Sequence, residues 1–290
     1  MFCSVVSIPG TPTQPHMQLH YFPSPEEANR LDTEALRSRF LISELFKPGQ
    51  IAGHYTDLDR MIVGGVMPTT APLALPMAKE LGTTFFLERR EIGILNIGAV
   101  PASISVDGTK FELPVHACLY VGKGAKDVQF LPTAGDAALV YISTPAHATH
   151  PTRLATREQA TVAELGTPEG ANRRRIVKYI HPDGIASCQL VMGFTEFHPG
   201  SVWNTMPPHH HSRRTEIYVY FDLGEQIVVH LMGQPTATRH LIVRNRDAVL
   251  SPSWSIHSGA GTGAYRFMWA MGGDNQIFTD MDPVSLKEIR

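Results

Sequence analysis

The sequence predicts an all-β protein built of two β sandwiches or barrels in tandem. Short runs rich in Val, Ile, Leu and Tyr recur along most of the chain, punctuated by Gly, Pro, Asn and Asp. Branched and aromatic side chains pack well on a pleated surface, and the punctuating residues accept turn conformations, so such runs read as strands. After residue 174 the strand set begins again with similar spacing, which calls for a second β unit.

The lead-in, residues 1–23, carries Pro9, Pro12, Pro15 and Pro23 and reads as extended chain. A short helix starts at Ser24, which supplies a capping hydroxyl. Pro25 takes the first helical position, Glu27 completes a capping box, and Leu36, Phe40, Leu41 and Leu45 continue an apolar stripe. Strands are expected at 93–97, 103–106, 111–113, 117–121 and 137–142, with Asp107-Gly108 as a hairpin turn. A second short helix is expected near 156–165. Later strands fall at 176–180, 188–192, 217–220, 227–231, 240–243 and 248–250. The chain thus divides into a lead-in with helix over 1–48, a first β unit over 49–150 and a second over 174–290.

Composition narrows the function classes. The 290 residues are 43% hydrophobic and 18% charged, enough apolar content for one or two cores. A net charge of -2 leaves no broad basic face for nucleic acid. Arg173-Arg174-Arg175 reads either as a local site for an acidic small molecule or as a solvated strand edge. Cys3, Cys118 and Cys188 are too few and too odd in number for a disulfide scaffold, which fits a reducing compartment. No stretch has the length of a membrane span and the start lacks a signal-like run, so a cytoplasmic protein is expected.

The chemistry concentrates in 205–220 and 251–261, which supply His209, His211, Glu216 and His257. On a strand, side chains two apart share a face, so His209 and His211 converge while His210 points away. The alternation that follows puts Glu216, Tyr218 and Tyr220 on one face and Ile217 and Val219 on the other. Three imidazoles and one carboxylate make a metal site. Structural zinc leans on Cys, whereas a His and carboxylate set is more often catalytic, and its donors suit zinc, iron, manganese, cobalt or nickel. Around it, Trp203, Asn204, Trp254, Tyr218 and Tyr220 are candidates to floor and orient a polar substrate, and Lys178 and Arg174 to bind a carboxylate. The competing reading makes the aromatics core residues and leaves Lys178 on a solvated face. The turn glycines Gly259, Gly261, Gly272 and Gly273 precede no helix, so no nucleotide site is assigned.

The two halves carry a short repeat. Arg89-Arg90-Glu91-Ile92 is like Arg213-Arg214-Thr215-Glu216-Ile217, and residues 116–119 are like 247–250. Superposed this way, Glu91 lies opposite Glu216, Thr84 and Phe86 opposite His209 and His211, and Lys126 opposite His257. The first unit then lacks the metal ligands and serves packing or assembly.

The ligand pattern resembles that of the cupins, and six longer blocks resemble the 5-keto-4-deoxyuronate isomerase family. These are residues 61–68, 86–91, 119–126, 204–207, 251–258 and 275–282, within a likeness running from about residue 26 to the C-terminus. The resemblance implies a bicupin, two tandem double-stranded β-helix (jelly-roll) barrels, with one zinc ion per chain, or another divalent transition metal, in the second barrel. It also implies a homo-oligomer, a hexamer. The implied substrate is a small uronate-derived keto acid, 5-dehydro-4-deoxy-D-glucuronate, converted to 3-deoxy-D-glycero-2,5-hexodiulosonate in pectin breakdown. Its proton transfer would fall to Tyr218, Lys178 or a metal-bound water, with a direct hydride shift as the competing route. Two other readings stay open: an iron(II) cupin dioxygenase, and a non-enzymatic sugar-acid binding cupin.

Overall fold

The computed structural model describes residues 17–76 and 79–290, so residues 1–16 of the expected lead-in, with Cys3, lie outside the described residues. Ser24 caps a helix, α1 (Pro25–Ala28), through the expected box: its hydroxyl accepts from the Glu27 N–H, and the Glu27 carboxylate accepts from the Ser24 N–H at 2.8 Å. The helix does not continue to Leu45. Asp32 caps a second helix, α2 (Thr33–Phe40), and Leu41–Ile42 leave it as a strand. A second N-cap inside one apolar stripe is invisible to periodicity, which counts only the buried positions.

The helix expected near 156–165 is a correction of the same kind. Arg157–Gln159 make a single 3-10 turn, and Thr161–Leu165 is a strand paired antiparallel with Arg174–Lys178. Thr161 and Val162 are β-branched, and a free sheet edge is available to them. Residues 188–190 are likewise irregular, and the strand expected at 188–192 runs from Val191 to Phe197.

The described strands form four sheets. The first seven-stranded sheet runs, in spatial order, Gln18–His20, His54–Thr56, Ile62–Val66, Leu139–Pro145, Arg90–Asn96, Cys118–Val121 and Arg153–Ala155. Four strands face it: Leu73–Ala74, Val128–Phe130, Ala102–Val106 and Thr109–Leu113. The last two are joined by Asp107 and Gly108, both at positive φ (46° and 82°), the geometry of a tight hairpin. The second seven-stranded sheet runs Thr161–Leu165, Arg174–Ile180, Val191–Phe197, Arg266–Gly273, Arg214–Phe221, Ala248–Ser251 and Leu41–Ile42. Its facing sheet contains Ala237–Val243, Val228–Gln234, His257–Gly261, Trp203–His210 and Asp282–Pro283. The chain visits both units in one order, which gives the doubled jelly roll.

Alternation along the strands creates three apolar layers. Val63, Val140 and Ile142 of the first large sheet meet Val177, Phe194, Ile217 and Val219 of the second, so the large sheets pack back to back. They approach so closely that a Cβ on Gly93 would lie 2.6 Å from the Met192 sulfur. The other faces point inward, Ile92, Ile94 and Ile104 in the first unit and Tyr218, Tyr220, Phe267 and Trp269 in the second.

The repeat holds in topology but not in the expected register. Glu216 pairs with Ser251, the last residue of its neighbouring strand, and the residue so placed in the first unit is Ile92, paired with Val121. Thr215 is an extra residue in the second motif, and a slip of one residue moves a side chain to the other face of the sheet. Glu91 therefore points between the units. Its buried carboxylate accepts from Tyr120 and Thr144 hydroxyls and from the backbone N–H groups of Cys188, Gln189 and Leu190 at 2.7–3.0 Å. Those bonds explain why 188–190 leaves the ladder.

Glu91→Gln should lower stability by about 2–4 kcal/mol, because an amide turns one acceptor into a donor facing buried donors. Denaturant midpoints at equal slope measure it; a midpoint within error of the parent would mean that this carboxylate does not tie the units together.

Candidate metal centre

The second unit brings the four expected donors together. His209 and His257 are direct cross-strand partners in the smaller sheet, and Glu216 projects toward them from the larger sheet. His211 follows one residue after the strand Trp203–His210 ends. Between Asn204 and His209 the ladder breaks: five steps on one strand span two on the other, with Thr205 at a φ of 50°. This bulge swings 205–208 outward and opens space in front of the His pair.

The ligand atoms of His209, His211, Glu216 and His257 all lie within 4.8 Å of one another, the one such group among the described residues. The Nε2 atoms of His209 and His257 are 2.9 Å apart, and Glu216 Oε2 is 3.1 Å from the Nε2 atoms of both His211 and His257. Tetrahedral bonds of about 2.0–2.1 Å would set donor atoms about 3.3 Å apart, close to these spacings. Burial, reinforced by the facing His211, pulls the His209 imidazole down to about 3, and burial with His209 holds His257 well below its ordinary range. Neutral imidazoles with converging lone pairs fit a divalent transition metal. Burial, with Glu216 beside it, pushes the Tyr218 phenol far up, so Tyr218 stays an O–H donor.

In front of the donors lies a cavity of about 330 Å³ lined by Arg174, Thr195, Asn204, Tyr218 and Trp269 and closed by Phe278 and Met281. A larger hollow of about 440 Å³ beside His20, Glu44 and His54 lies in the other half of the fold and holds no such donor group among the described residues. Of the expected substrate residues, Arg174, Asn204 and Tyr218 reach the cavity wall. Tyr220 lies deeper, its hydroxyl 2.6 Å from His230 Nδ1.

Three expectations need correction. Lys178 shares the inward face of Arg174 but sits four residues along the strand. Its ammonium lies over the Phe278 ring at 5.1 Å, and the residue lines a separate hollow with Arg153 and His181. Trp254 packs edge-on against Phe40 of α2 at 6.2 Å, as a core residue. Trp203 pairs with Ala260 at the far end of the bulged strand and does not line the cavity. Thr195 and Trp269 were not anticipated; the Trp269 indole N–H donates to the Thr195 hydroxyl at 3.2 Å. The one available signal was Thr195 itself, a hydroxyl among Val191, Gly193 and Phe197 on the inward face of its strand.

Comparison with known proteins agrees with this layout. The model of the KduI/IolB family matches residues 52–285. A protein of Opitutus terrae named 4-deoxy-L-threo-5-hexosulose-uronate ketol-isomerase is 66% identical over 276 residues, covering 94% of this chain and 100% of that one. A protein of the same name from Kineococcus radiotolerans is 50% identical over 281 residues, again covering 94% and 100%. Among solved structures, an IolB-like protein of Salmonella typhimurium superposes with a TM-score of 0.69 at 16% identity, covering 84% of this chain and 96% of that one. At that identity the likeness speaks for the fold.

The buried imidazoles set a pH dependence. His54 is pulled to about 4 and His209 and His230 to about 3, chiefly by burial, against 6.5 for a free imidazole. Between those values the unfolded chain binds more protons than the folded one, so stability rises with pH through this window. Chelator-treated protein should lose denaturant resistance as pH falls from 7 to 5. A midpoint that holds or rises over that range would show that these rings are not buried neutral.

Proposed function

The chain belongs to the KduI/IolB family, and from that premise we propose that His209, His211, Glu216 and His257 form the reaction centre of its isomerase activity. The protein is a ketol-isomerase of uronate breakdown, converting 5-dehydro-4-deoxy-D-glucuronate to 3-deoxy-D-glycero-2,5-hexodiulosonate. The observation that carries the site assignment is the convergence of four metal donors, three of them buried, with His209, His211 and Glu216 on the wall of a cavity sized for a six-carbon acid.

A divalent cation on these donors supplies Lewis-acid polarisation of the substrate's carbonyl and adjacent hydroxyl oxygens. The remaining tasks fall to the chain. Arg174 takes the substrate carboxylate with its guanidinium, and Asn204 orients a hydroxyl. Tyr218, kept protonated, donates to an oxygen on which charge develops. The wall formed by Trp269, Phe278 and Met281 keeps water from the reacting carbons.

The lining also bears on how hydrogen moves. Besides the four donors, Arg174 and Tyr218 are the titratable side chains among the described residues of the cavity wall, and neither is a base. This favours direct transfer of hydride from the hydroxyl-bearing carbon to the carbonyl carbon, with the hydroxyl proton passing to the former carbonyl oxygen. We assign zinc, one ion per chain, on the family resemblance; the nitrogen and oxygen donors suit it as they suit iron, manganese, cobalt or nickel. We expect a hexamer from the family resemblance and a cytoplasmic location from the sparse cysteines, of which free Cys118 and Cys188 accord with a reducing compartment. No helix among the described residues is long and apolar enough to cross a membrane.

Chelation and, separately, His257→Ala should each lower the rate of aldehyde loss from uronate lyase product by at least about 100-fold, zinc restoring only the chelated parent. Full turnover after complete metal removal would refute the site. With deuterium on the hydroxyl-bearing carbon, product should retain the label in water; wash-out would require a base and return the proton step to an ionising side chain or a metal-bound water.

A further inference from the structure

One segment serves both the cavity and a ligand. Residues 274–281 run from the end of the strand Arg266–Gly273 to Asp282 and carry Phe278 and Met281, which close the cavity. Arg213 fixes this segment. Its Nε donates to both carboxylate oxygens of Asp280 at 2.9 Å, and its Nη2 donates to Asp280 and, at 2.9 Å, to Asp282. Asn275 donates to the Asp280 carboxylate at 2.6 Å, and the Ser212 N–H to Asp282 at 3.1 Å. So fixed, the backbone carbonyl of Asp280 lies 2.9 Å from His211 Nδ1 and accepts from the Arg214 guanidinium as well.

A carbonyl can only accept, so Nδ1 of His211 must be the donor there, leaving the Nε2 lone pair free for an ion. The other tautomer has its own partners. Arg214 Nη2 lies 3.0 Å from Nδ1 and donates to it if it is bare, while an Nε2–H would point at Glu216 Oε2, 3.1 Å away. That arrangement consumes the lone pair of one ligand and occupies a second. The carbonyl of Asp280 decides between the two.

Resting on the reading of this cluster as a metal site, we propose that Asp280 is a positioning residue. Its carboxylate is latched by Arg213 so that its carbonyl holds His211 in the tautomer that binds metal, and one clasp fixes both the ligand and the cavity mouth. Arg213 is partly exposed and belongs neither to the donors nor to the cavity lining, so its effect on metal passes through the two acids it holds, and Asp280→Asn separates the Asp280 route from that of Asp282.

The test titrates zinc into the full-length, chelator-treated protein against a chromophoric chelator, with thermal unfolding followed in parallel. Arg213→Ala should weaken zinc binding about 10-fold or more, and Arg213→Lys should recover part of the loss, since a single ammonium restores the charge but not the fork. Unchanged zinc affinity in Arg213→Ala, with only a lowered melting temperature, would overturn the proposal. Should that variant not fold, Asp280→Asn keeps the backbone carbonyl and loses the charged latch. It should weaken zinc binding, and parental affinity in it would overturn the proposal equally. The readout is independent of turnover, so a parent that binds zinc yet isomerises nothing would refute the proposed function and leave this inference to stand or fall by itself.

Discussion

The two-residue period of the strand Arg214–Phe221 is the constraint on which the molecule turns. Ile217, Val219 and Phe221 enter the apolar layer between the large sheets, and Glu216, Tyr218 and Tyr220 face the interior of the second unit. One strand thus welds the two halves together and furnishes the carboxylate of the site. Because the strand is hydrogen-bonded on both edges, to Arg266–Gly273 and Ala248–Ser251, neither face can shift without breaking two ladders. The site inherits its rigidity from this centre of the sheet, which is how a ligand set is held within a few tenths of an ångström.

The same rigidity assembles a group that disfavours itself in the absence of an ion. His257 is buried and His209 partly so, and both imidazoles are held neutral, with their Nε2 atoms facing each other. Beneath them Arg214 is 1% exposed, and its Nε and Nη1 lack hydrogen-bond partners. Burying unsatisfied donors lowers stability, and folds keep such arrangements where function requires them. Without an ion, one neutral ring can donate its Nε2–H to the other; a cation shared by the four donors would take both lone pairs instead.

What the sequence made legible divides along a physical line. The His209, His211, Glu216 and His257 set could be read because each donor is a side chain whose face follows from strand period and whose chemistry is distinctive. The second N-cap at Asp32 was hidden because periodicity registers only buried positions, although the cap itself is local, Asp32 accepting from the Ala35 N–H, and the strand at Thr161–Leu165 because it depends on a sheet edge, Arg174–Lys178, that exists only in the fold. Trp254 and Lys178 had suitable chemistry in the wrong place: both lie near the site in sequence or face, yet α2 takes the first and Phe278 screens the second. Asp280 was beyond reach altogether, since it acts on His211 through a backbone carbonyl, which leaves no trace in residue type.

Glu91 shows how the two halves, alike in topology, were given different work. At the ladder position of Glu216 the first unit has Ile92, which joins an apolar interior with Ile94, Ile104 and Phe130. The carboxylate of the first motif stands one residue earlier, on the opposite face, where it collects five donors and ties the loop 188–190 of one unit to the strand Arg90–Asn96 of the other. A single extra residue, Thr215, separates the two outcomes. Thr215 points into the same interface as Glu91, and its N–H donates to Asp59 of the first unit at 2.9 Å. Register alone therefore determines whether the acid of this motif meets water and substrate or the neighbouring unit, and the first half, with its acid committed to the seam, holds the large sheet of the second half in the position that the metal donors need.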